Sequence, residues 1–174
     1  MKNSNIFAII AALVAILGAF LYLSKKKGDT KIAWANLSGD EKPSGMRSET
    51  RGKRNNNPFN IRYNEGNSWL GQTGSDGAFC VFDTMSHGIR AGGVLLRNYL
   101  KSGRNTIAKI ITRFAPSGDG NNTKKYIADV AKMSGINESD VLSSADLWRI
   151  AVPMMWIESR YNATSSDKES FNNA

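Results

Sequence analysis

The stretch "IAVPMMWIESRYNA", residues 150–163, places a carboxylate directly after an almost wholly apolar run. A spacing of 3.6 residues per turn puts Glu158 on the same helical face as four apolar residues, which are Leu147, Ile150, Ala151 and Met154. Ser143 and Asp146 have the spacing of a capping pair at the beginning of this helix, and Pro153 is expected to kink it. The sequence therefore predicts a buried helix that ends in an acid.

A carboxylate aligned with Met and Ile side chains loses contact with water, which disfavours its charged form and raises its pKa. A raised pKa suits a general acid that works near neutral pH. The plainer alternative is an ion pair between Glu158 and Arg160, or a more distant arginine, at the edge of the core. We favour the acid because of the motifs that accompany it.

The N-terminal residues 1–24 contain an uncharged apolar run, "IFAIIAALVAILGAFLYL", at positions 6–23. As a helix this run would be about 27 Å long, close to the thickness of a bilayer core. Lys25, Lys26 and Lys27 follow it as a basic stop, so we expect an uncleaved anchor in a lipid bilayer, with a cleaved signal peptide as the alternative. The positive-inside rule would place the rest of the chain on the cytoplasmic side of a cell membrane.

Residues 25–50 combine the basic stop with a tether-like composition of small and polar residues, and a globular domain is expected over residues 51–174. The whole chain has a net charge of +8, but its globular part has 16 basic and 11 acidic residues, which leaves +5 without a long basic run. This distribution argues against nucleic acid as a specific partner.

The single cysteine, Cys80, excludes an internal disulfide, and the single histidine, His87, has no nucleophile motif near it. No phosphate-binding glycine loop and no metal-ligand spacing are present, so we expect neither a cofactor nor a metal.

Hydrophobic patterning predicts a mainly α member of the α+β class. Residues 60–84 are rich in Gly and Asn with short alternating pieces such as "AFCVF", which indicates one or two short strands. Helices are expected at 85–101, where Gly92 and Gly93 allow close approach of another backbone, at 105–114 after an N-cap at Asn105, and at 123–133 with Gly135 as its stop. Met133 belongs to the apolar stripe of the third of these helices.

Several motifs resemble those of lysozyme-like lytic transglycosylases. "ESRYNA" is similar to the Glu-Ser motif of their catalytic helix, and "FDTMSHGIRAGGVLLRNYL" and "ITRFAPSGDGNNTKKYIADV" resemble two of their later segments. The Glu helix comes last here, as in a circular permutation. That order, beginning with "RGKRNNNPFNIRY", resembles phage-encoded muralytic domains whose typical motif is "RNNNPGNIR", and the resemblance covers residues 51–163. It implies a lysozyme-like fold.

The resemblance also implies a reaction on peptidoglycan. Glu158 would protonate the glycosidic oxygen between MurNAc and GlcNAc and then accept the proton of the muramic acid 6-hydroxyl, which gives a 1,6-anhydro product. A second carboxylate would instead make the protein a hydrolase. Three residues are candidates for it: Asp76, Asp83 and Glu65.

The remaining site residues are expected from the same resemblance. Asn57, Asn60 and Arg62 would bind N-acetyl groups and sugar hydroxyls, although an Asn-rich turn before a proline explains the asparagines without a ligand. Ser159 would orient Glu158, and Tyr126 would line the groove. Phe59 stands where relatives usually have Gly, so it would either narrow the groove or offer a stacking face.

These features together predict a membrane-anchored peptidoglycan-degrading enzyme of a phage virion. A virion with its own bilayer removes the conflict between a cytoplasmic domain and a wall substrate; the alternative location is a bacterial inner membrane. A rival function is a structural or DNA-facing virion membrane protein that keeps the lysozyme-like fold without activity. A wall endopeptidase is a third alternative.

Overall fold

The computed structural model describes residues 49–174. The predicted anchor at residues 6–23 and all but the last residues of the predicted tether lie outside the described residues. Among the helices of residues 49–174, none has the length and apolar character needed to span a bilayer.

The described part is mainly helical and has one small sheet near its beginning, which confirms the mainly α, α+β class. Its elements in chain order are α1 (Arg51–Arg54), β1 (Gln72–Ser75), β2 (Cys80–Phe82), α2 (Met85–Lys101), α3 (Ile107–Phe114), α4 (Thr123–Ser134), α5 (Leu147–Ser159) and α6 (Ser165–Asn172). Two short 3-10 turns, Ser117–Asp119 and Ser144–Asp146, precede α4 and α5.

The two strands pair antiparallel, with an irregularity in register between Gln72 and Gly74. The preceding segment also pairs with this hairpin, because the Cys80 amide donates to the Ile61 carbonyl at 2.9 Å and the Tyr63 amide donates to the Ala78 carbonyl at 2.9 Å. The predicted strand at "AFCVF" is therefore confirmed, and the pairing holds residues 60–63 beside the hairpin.

Side-chain caps begin the helices largely where the sequence predicts. Ser143 and Asp146 form the expected capping box before α5, and Gly135 ends α4 in the left-handed conformation. The N-cap of α3 is Thr106, whose side chain accepts from the Lys109 amide, rather than the predicted Asn105. A β-branched hydroxyl one residue later satisfies the same free amides.

The predicted stripe of α5 forms the centre of the core. Leu147, Ile150, Ala151 and Met154 are fully buried, and each large side chain among them contributes about 1.5–3 kcal/mol by leaving water. The helix continues through the buried Pro153. It packs against α4 and α2. Glu158 is the next member of this stripe and lies near the helix end, half-buried.

Glycines on α2 make room for two other segments. A Cβ at Gly93 would meet the Phe171 carbonyl, which confirms close backbone approach there, whereas a Cβ at Gly92 would meet the ring of Phe59. Phe59 is completely buried. The expectation that Phe59 narrows the groove or stacks on sugar is therefore wrong, because its ring fills the space that Gly92 leaves in the core.

Helix α6 is an addition that the sequence analysis did not predict. A capping box between Thr164 and Asp167 begins it, and its buried Phe171 packs edge-on against Trp148 at 5.3 Å. Its main contact is with α2. Met133 was predicted to belong to the apolar stripe of α4, but it is 49% exposed near the C-terminal end of that helix.

Candidate active site

A groove of about 400 Å³ opens beside the C-terminal end of α5. This volume falls within the range of about 300–1,000 Å³ that is usual for ligand sites. Its walls combine amide, aromatic and cationic side chains with one acid, and the lining residues that bear on its chemistry are Asn60, Arg62, Tyr63, Asn64, Asn67, Trp69, Phe79, Tyr99, Arg113, Phe114, Asn121 and Glu158.

Glu158 is the only carboxylic acid among the described residues that line this groove. Burial raises its pKa, and hydrogen bonds from Asn60 and Tyr126 lower it by less. The net shift keeps Glu158 protonated at a higher pH than an ordinary glutamate, as a proton donor near neutral pH requires.

Asn60 fixes the position of the Glu158 carboxyl group. Its Nδ2 donates to Glu158 Oε2 at 3.0 Å and to the Glu158 backbone carbonyl at 3.1 Å. The backbone of Asn60 has a φ of 48°, in the left-handed region that side chains other than glycine adopt infrequently. A conformation of this kind persists only where surrounding contacts hold it, and such residues cluster at functional sites.

Three buried polar atoms at this site are without hydrogen-bond partners. Within residues 49–174 they are the only such side-chain atoms: Asn60 Oδ1, Trp69 Nε1 and Tyr126 Oη. An unsatisfied buried group costs about 1–3 kcal/mol, so most are paired in folded proteins. Asn60 and Trp69 line the groove, where a ligand can reach them, whereas Tyr126 is next to Glu158 and outside the groove lining.

Tyr126 lies beside the Glu158 carboxyl group and is nearly fully buried. It is not part of the groove lining, so the prediction that it lines the groove is corrected. Burial, followed by the charge of Glu158, raises the pKa of its phenol well above the ordinary value. Its hydroxyl makes no hydrogen bond of good geometry, yet it is close enough to lower the pKa of Glu158. Its ring meets that of Phe114 edge-on at 6.3 Å, which connects it to the groove wall.

Asn57 and Ser159 occupy other places than predicted, because both side chains are fully buried and neither contacts the groove. Asn57 Nδ2 donates to the carbonyls of Ile61 at 3.0 Å and Cys80 at 2.9 Å, and its Oδ1 accepts from the Ile61 amide. Direct sugar binding by Asn57 is thus corrected to a structural role that holds the turn before the hairpin.

Ser159 joins that turn to α5, the helix that carries Glu158. Its Oγ donates to the Pro58 carbonyl at 2.8 Å, and its own carbonyl accepts from Thr50 Oγ1 at 2.7 Å. Gly52 packs so closely against it that a Cβ there would overlap the Ser159 hydroxyl. Ser159 therefore acts on Glu158 by positioning the turn that carries Asn60, and as a buried residue outside the groove lining it does not bind substrate directly.

Arg62, also predicted, does line the groove. Its Nη2 lies 3.4 Å from Asp119 Oδ2, and its guanidinium lies 5.8 Å from the centre of the Phe79 ring. Both partners of this ion pair are well exposed, so the guanidinium remains accessible to ligand.

The three candidates for a second acid are outside the groove lining. Hydrogen bonds from Asn55, at 2.7 Å, and from the Phe79 amide lower the pKa of Asp76 to about 2. Asp76 is therefore ionised, and its carboxylate is engaged by the hydrogen bonds of its own β-turn. A hydrogen bond from His87, at 2.6 Å, lowers the pKa of Asp83. Glu65 is an exposed loop residue.

The groove lining also includes Trp69, Tyr99 and Arg113, and the last two were not predicted as site residues. Trp69 lies in the Gly/Asn-rich loop, where an aromatic between turn residues signals a binding surface only weakly. No three His, Cys, Asp or Glu side chains converge in a metal-binding arrangement within residues 49–174.

Comparison with known proteins gives one extensive match. Protein P5 of Pseudoalteromonas phage PM2 is 36% identical over 131 residues, which are 72% of this chain and 81% of that protein. A family model described as the LPXTG cell wall anchor motif matches residues 2–30. No proline in this chain follows a leucine, so the match reflects the apolar run and the lysines after it rather than an LPXTG sequence.

Proposed function

The chain belongs to the family of Protein P5 of Pseudoalteromonas phage PM2, and from this premise we propose that it cleaves the glycan strands of peptidoglycan as a lytic transglycosylase. The observation that carries the proposal is that Glu158 is the only carboxylic acid among the described residues that line the groove, and that burial raises its pKa. A lysozyme-like fold, with its Glu helix late in the chain, is part of the proposal.

In the first step, the protonated Glu158 donates its proton to the glycosidic oxygen between MurNAc and GlcNAc. The bond between this oxygen and the anomeric carbon breaks, and the GlcNAc side leaves as an alcohol. Burial favours the protonated form of Glu158, which is the form that donates the proton in this step. Asn60 Nδ2 holds Oε2 during the transfer.

In the second step, the 6-hydroxyl of the same MurNAc attacks its anomeric carbon. Glu158, now ionised, accepts the hydroxyl proton as the ring closes, so the product is a 1,6-anhydro sugar and the acid is restored. No water is consumed, and therefore no second carboxylate is required, unlike in the two-carboxylate glycosidases. The hydrogen bond from Asn60 and the neighbouring hydroxyl of Tyr126 stabilise the transient carboxylate.

The walls of the groove suit a glycan. Aromatic side chains such as Trp69 and Phe79 offer faces to sugar rings, while the amides of Asn64, Asn67 and Asn121 can hydrogen-bond to hydroxyl and acetamido groups. The unpartnered Asn60 Oδ1 and Trp69 Nε1 would gain partners when a sugar enters.

The proposed place of action is a phage virion with its own membrane, in which residues 6–23 serve as the anchor. The enzyme would then meet the wall when the virion penetrates the host or when the host is lysed. A bacterial inner membrane is the alternative location, and it requires that the weak charge bias around the span does not set its orientation.

A second candidate function is an inactive virion membrane protein that faces the genome. The net charge of +5 on residues 51–174, from 16 basic and 11 acidic residues, favours it, because a cationic surface attracts phosphates. Such binding would be sequence-independent and would weaken steeply with salt. A wall endopeptidase that uses Glu158 on peptide bonds remains the third.

The test is digestion of purified peptidoglycan by the full chain in detergent micelles, with Glu158→Gln beside the wild type. Loss of the acid should lower the rate by roughly 10²–10⁴-fold. Glu65→Gln, which removes an exposed carboxylate outside the groove lining, is the matched control and should keep wild-type activity. Equal activity of wild type and Glu158→Gln would overturn the proposal.

A further inference from the structure

A second cleft, of about 460 Å³, adjoins helix α3. Its lining consists of Arg104, Ala108, Lys109, Thr112 and Arg113. Three of these five side chains are cationic and none is acidic, so the charge of the cleft favours an anionic ligand. We refer to it as the basic cleft.

The basic cleft adjoins the groove that contains Glu158, because the two share one lining residue. Arg113 lines both, and Tyr99 lines the groove. Burial raises the pKa of the Tyr99 phenol, and the positive charges of Arg113 and Arg104 lower it by less. The Arg104 amide also donates to the Tyr99 carbonyl at 2.9 Å. A ligand that leaves the groove past Tyr99 therefore meets these cations.

The cations of the basic cleft form no ion pair with an acid of the described part. Arg104 Nη1 donates to Ser102 Oγ at 2.6 Å, and Lys109 Nζ donates to Asn105 Oδ1 at 3.2 Å, both of which are neutral acceptors. Glu138 is held near the N-terminal end of α3, since its carbonyl accepts from the Ala108 amide at 3.0 Å. None of the ion pairs within residues 49–174 includes a cation of this cleft.

We propose that the basic cleft binds the carboxylates of the stem peptides that branch from a glycan strand in the groove. This inference rests on the proposed function and specifies its substrate as peptide-bearing rather than naked glycan. Stem peptides carry free carboxylates and branch from the muramic acid, the sugar on which Glu158 acts. Guanidinium groups bind carboxylates through two parallel hydrogen bonds, and the cleft offers two of them, on Arg104 and Arg113.

Nucleic acid is a poorer match to this geometry. Proteins that follow a phosphate backbone use a stripe of many cations, whereas the basic cleft has three in a bounded space beside the groove. Carboxylates at the end of a short branch need only such a local cluster.

The experiment measures binding without cleavage. The full chain with Glu158→Gln is mixed with intact sacculi and with stripped sacculi, which are the free glycan strands left after an amidase removes the stem peptides. Both are coupled to beads, because the free strands no longer sediment by themselves, and the bound fraction of protein is measured. We expect tighter binding to the intact sacculi, and a preference that decreases as salt rises.

Arg104→Gln and Lys109→Gln are then added to that background, singly and together. Each should weaken binding to intact sacculi by about 1.5- to 5-fold, as expected for exposed ion pairs, and should not affect binding to stripped sacculi. Lys132→Gln with Lys168→Gln is the matched control, because both lysines are exposed and outside both clefts. Lys109→Gln alone tests the proposal if Arg104→Gln fails to fold.

Equal binding to intact and stripped sacculi would overturn the inference, and so would equal weakening by the control pair. Displacement of the protein from intact sacculi by a DNA duplex, but not by free stem peptide, would assign the basic cleft to nucleic acid instead. Since Glu158→Gln is used throughout, these results are independent of catalysis. Failure of the wild type to cleave peptidoglycan would count only against the proposed function.

Discussion

Ser159→Ala tests whether the buried serine positions the turn that carries Asn60. The substitution removes the hydroxyl that donates to the Pro58 carbonyl at 2.8 Å and leaves that buried oxygen without a donor. The cost of such an unsatisfied group is about 1–3 kcal/mol. The better helix propensity of alanine returns about 0.5 kcal/mol. The free energy of unfolding should therefore fall by about 0.5–2.5 kcal/mol.

The measurement is urea unfolding of the full chain followed by tryptophan fluorescence, with Ser86→Ala as the control. Ser86 is an exposed serine in the first turn of α2 and has no side-chain hydrogen bond within the described residues, so its loss should change stability little. Activity should also fall in Ser159→Ala, because the freed turn carries Asn60 away from Glu158. Unchanged stability and activity in Ser159→Ala would refute this reasoning.

Three further changes give distinct signatures. Asn60→Gly accommodates the left-handed backbone but removes a hydrogen bond that lowers the pKa of Glu158, so the alkaline limb of the pH–rate profile should shift to higher pH; an unshifted limb would contradict this. Burial raises the folded-state pKa of Glu158 above its unfolded value, so the free energy of unfolding of the wild type falls as pH rises through the folded-state pKa. The stability gain of Glu158→Gln in urea unfolding should therefore be larger at pH 8 than at pH 4. A pH-independent difference would argue against a buried acid. Gly92→Ala drives a Cβ into the ring of Phe59 and should cost about 1–3 kcal/mol in thermal unfolding, whereas Gly74→Ala meets nothing within 4 Å; equal losses would refute the packing argument.

The sequence predicted the elements whose signals are local. The stripe of α5 has helical spacing, its cap is a Ser/Asp pair, and "AFCVF" alternates, so the core helix, its beginning and the strand are all legible from neighbouring residues. The location of Glu158 on the buried face follows from the same spacing.

The errors arose where distant residues decide. Phe59 enters the core because α2 offers a glycine to its ring, and nothing near Phe59 in the sequence reveals this. Asn57 lies in a segment whose composition is typical of a ligand-binding turn, yet its side-chain amide donates to backbone carbonyls of the hairpin and the segment before it. The basic cleft is assembled by cations spaced along residues 104–113, which look like an ordinary solvated helix face until Tyr99 is placed beside them.

The most direct test of the central claim is digestion of peptidoglycan by the wild-type full chain in water labelled with heavy oxygen, with products analysed by mass spectrometry. Transglycosylation with Glu158 as sole acid and base predicts products lighter by one water than those of hydrolysis, with no label. Label at a new reducing end would show that water attacks and that a second group activates it. Absence of any cleaved product, from a chain shown to be folded, would contradict the enzymatic account altogether.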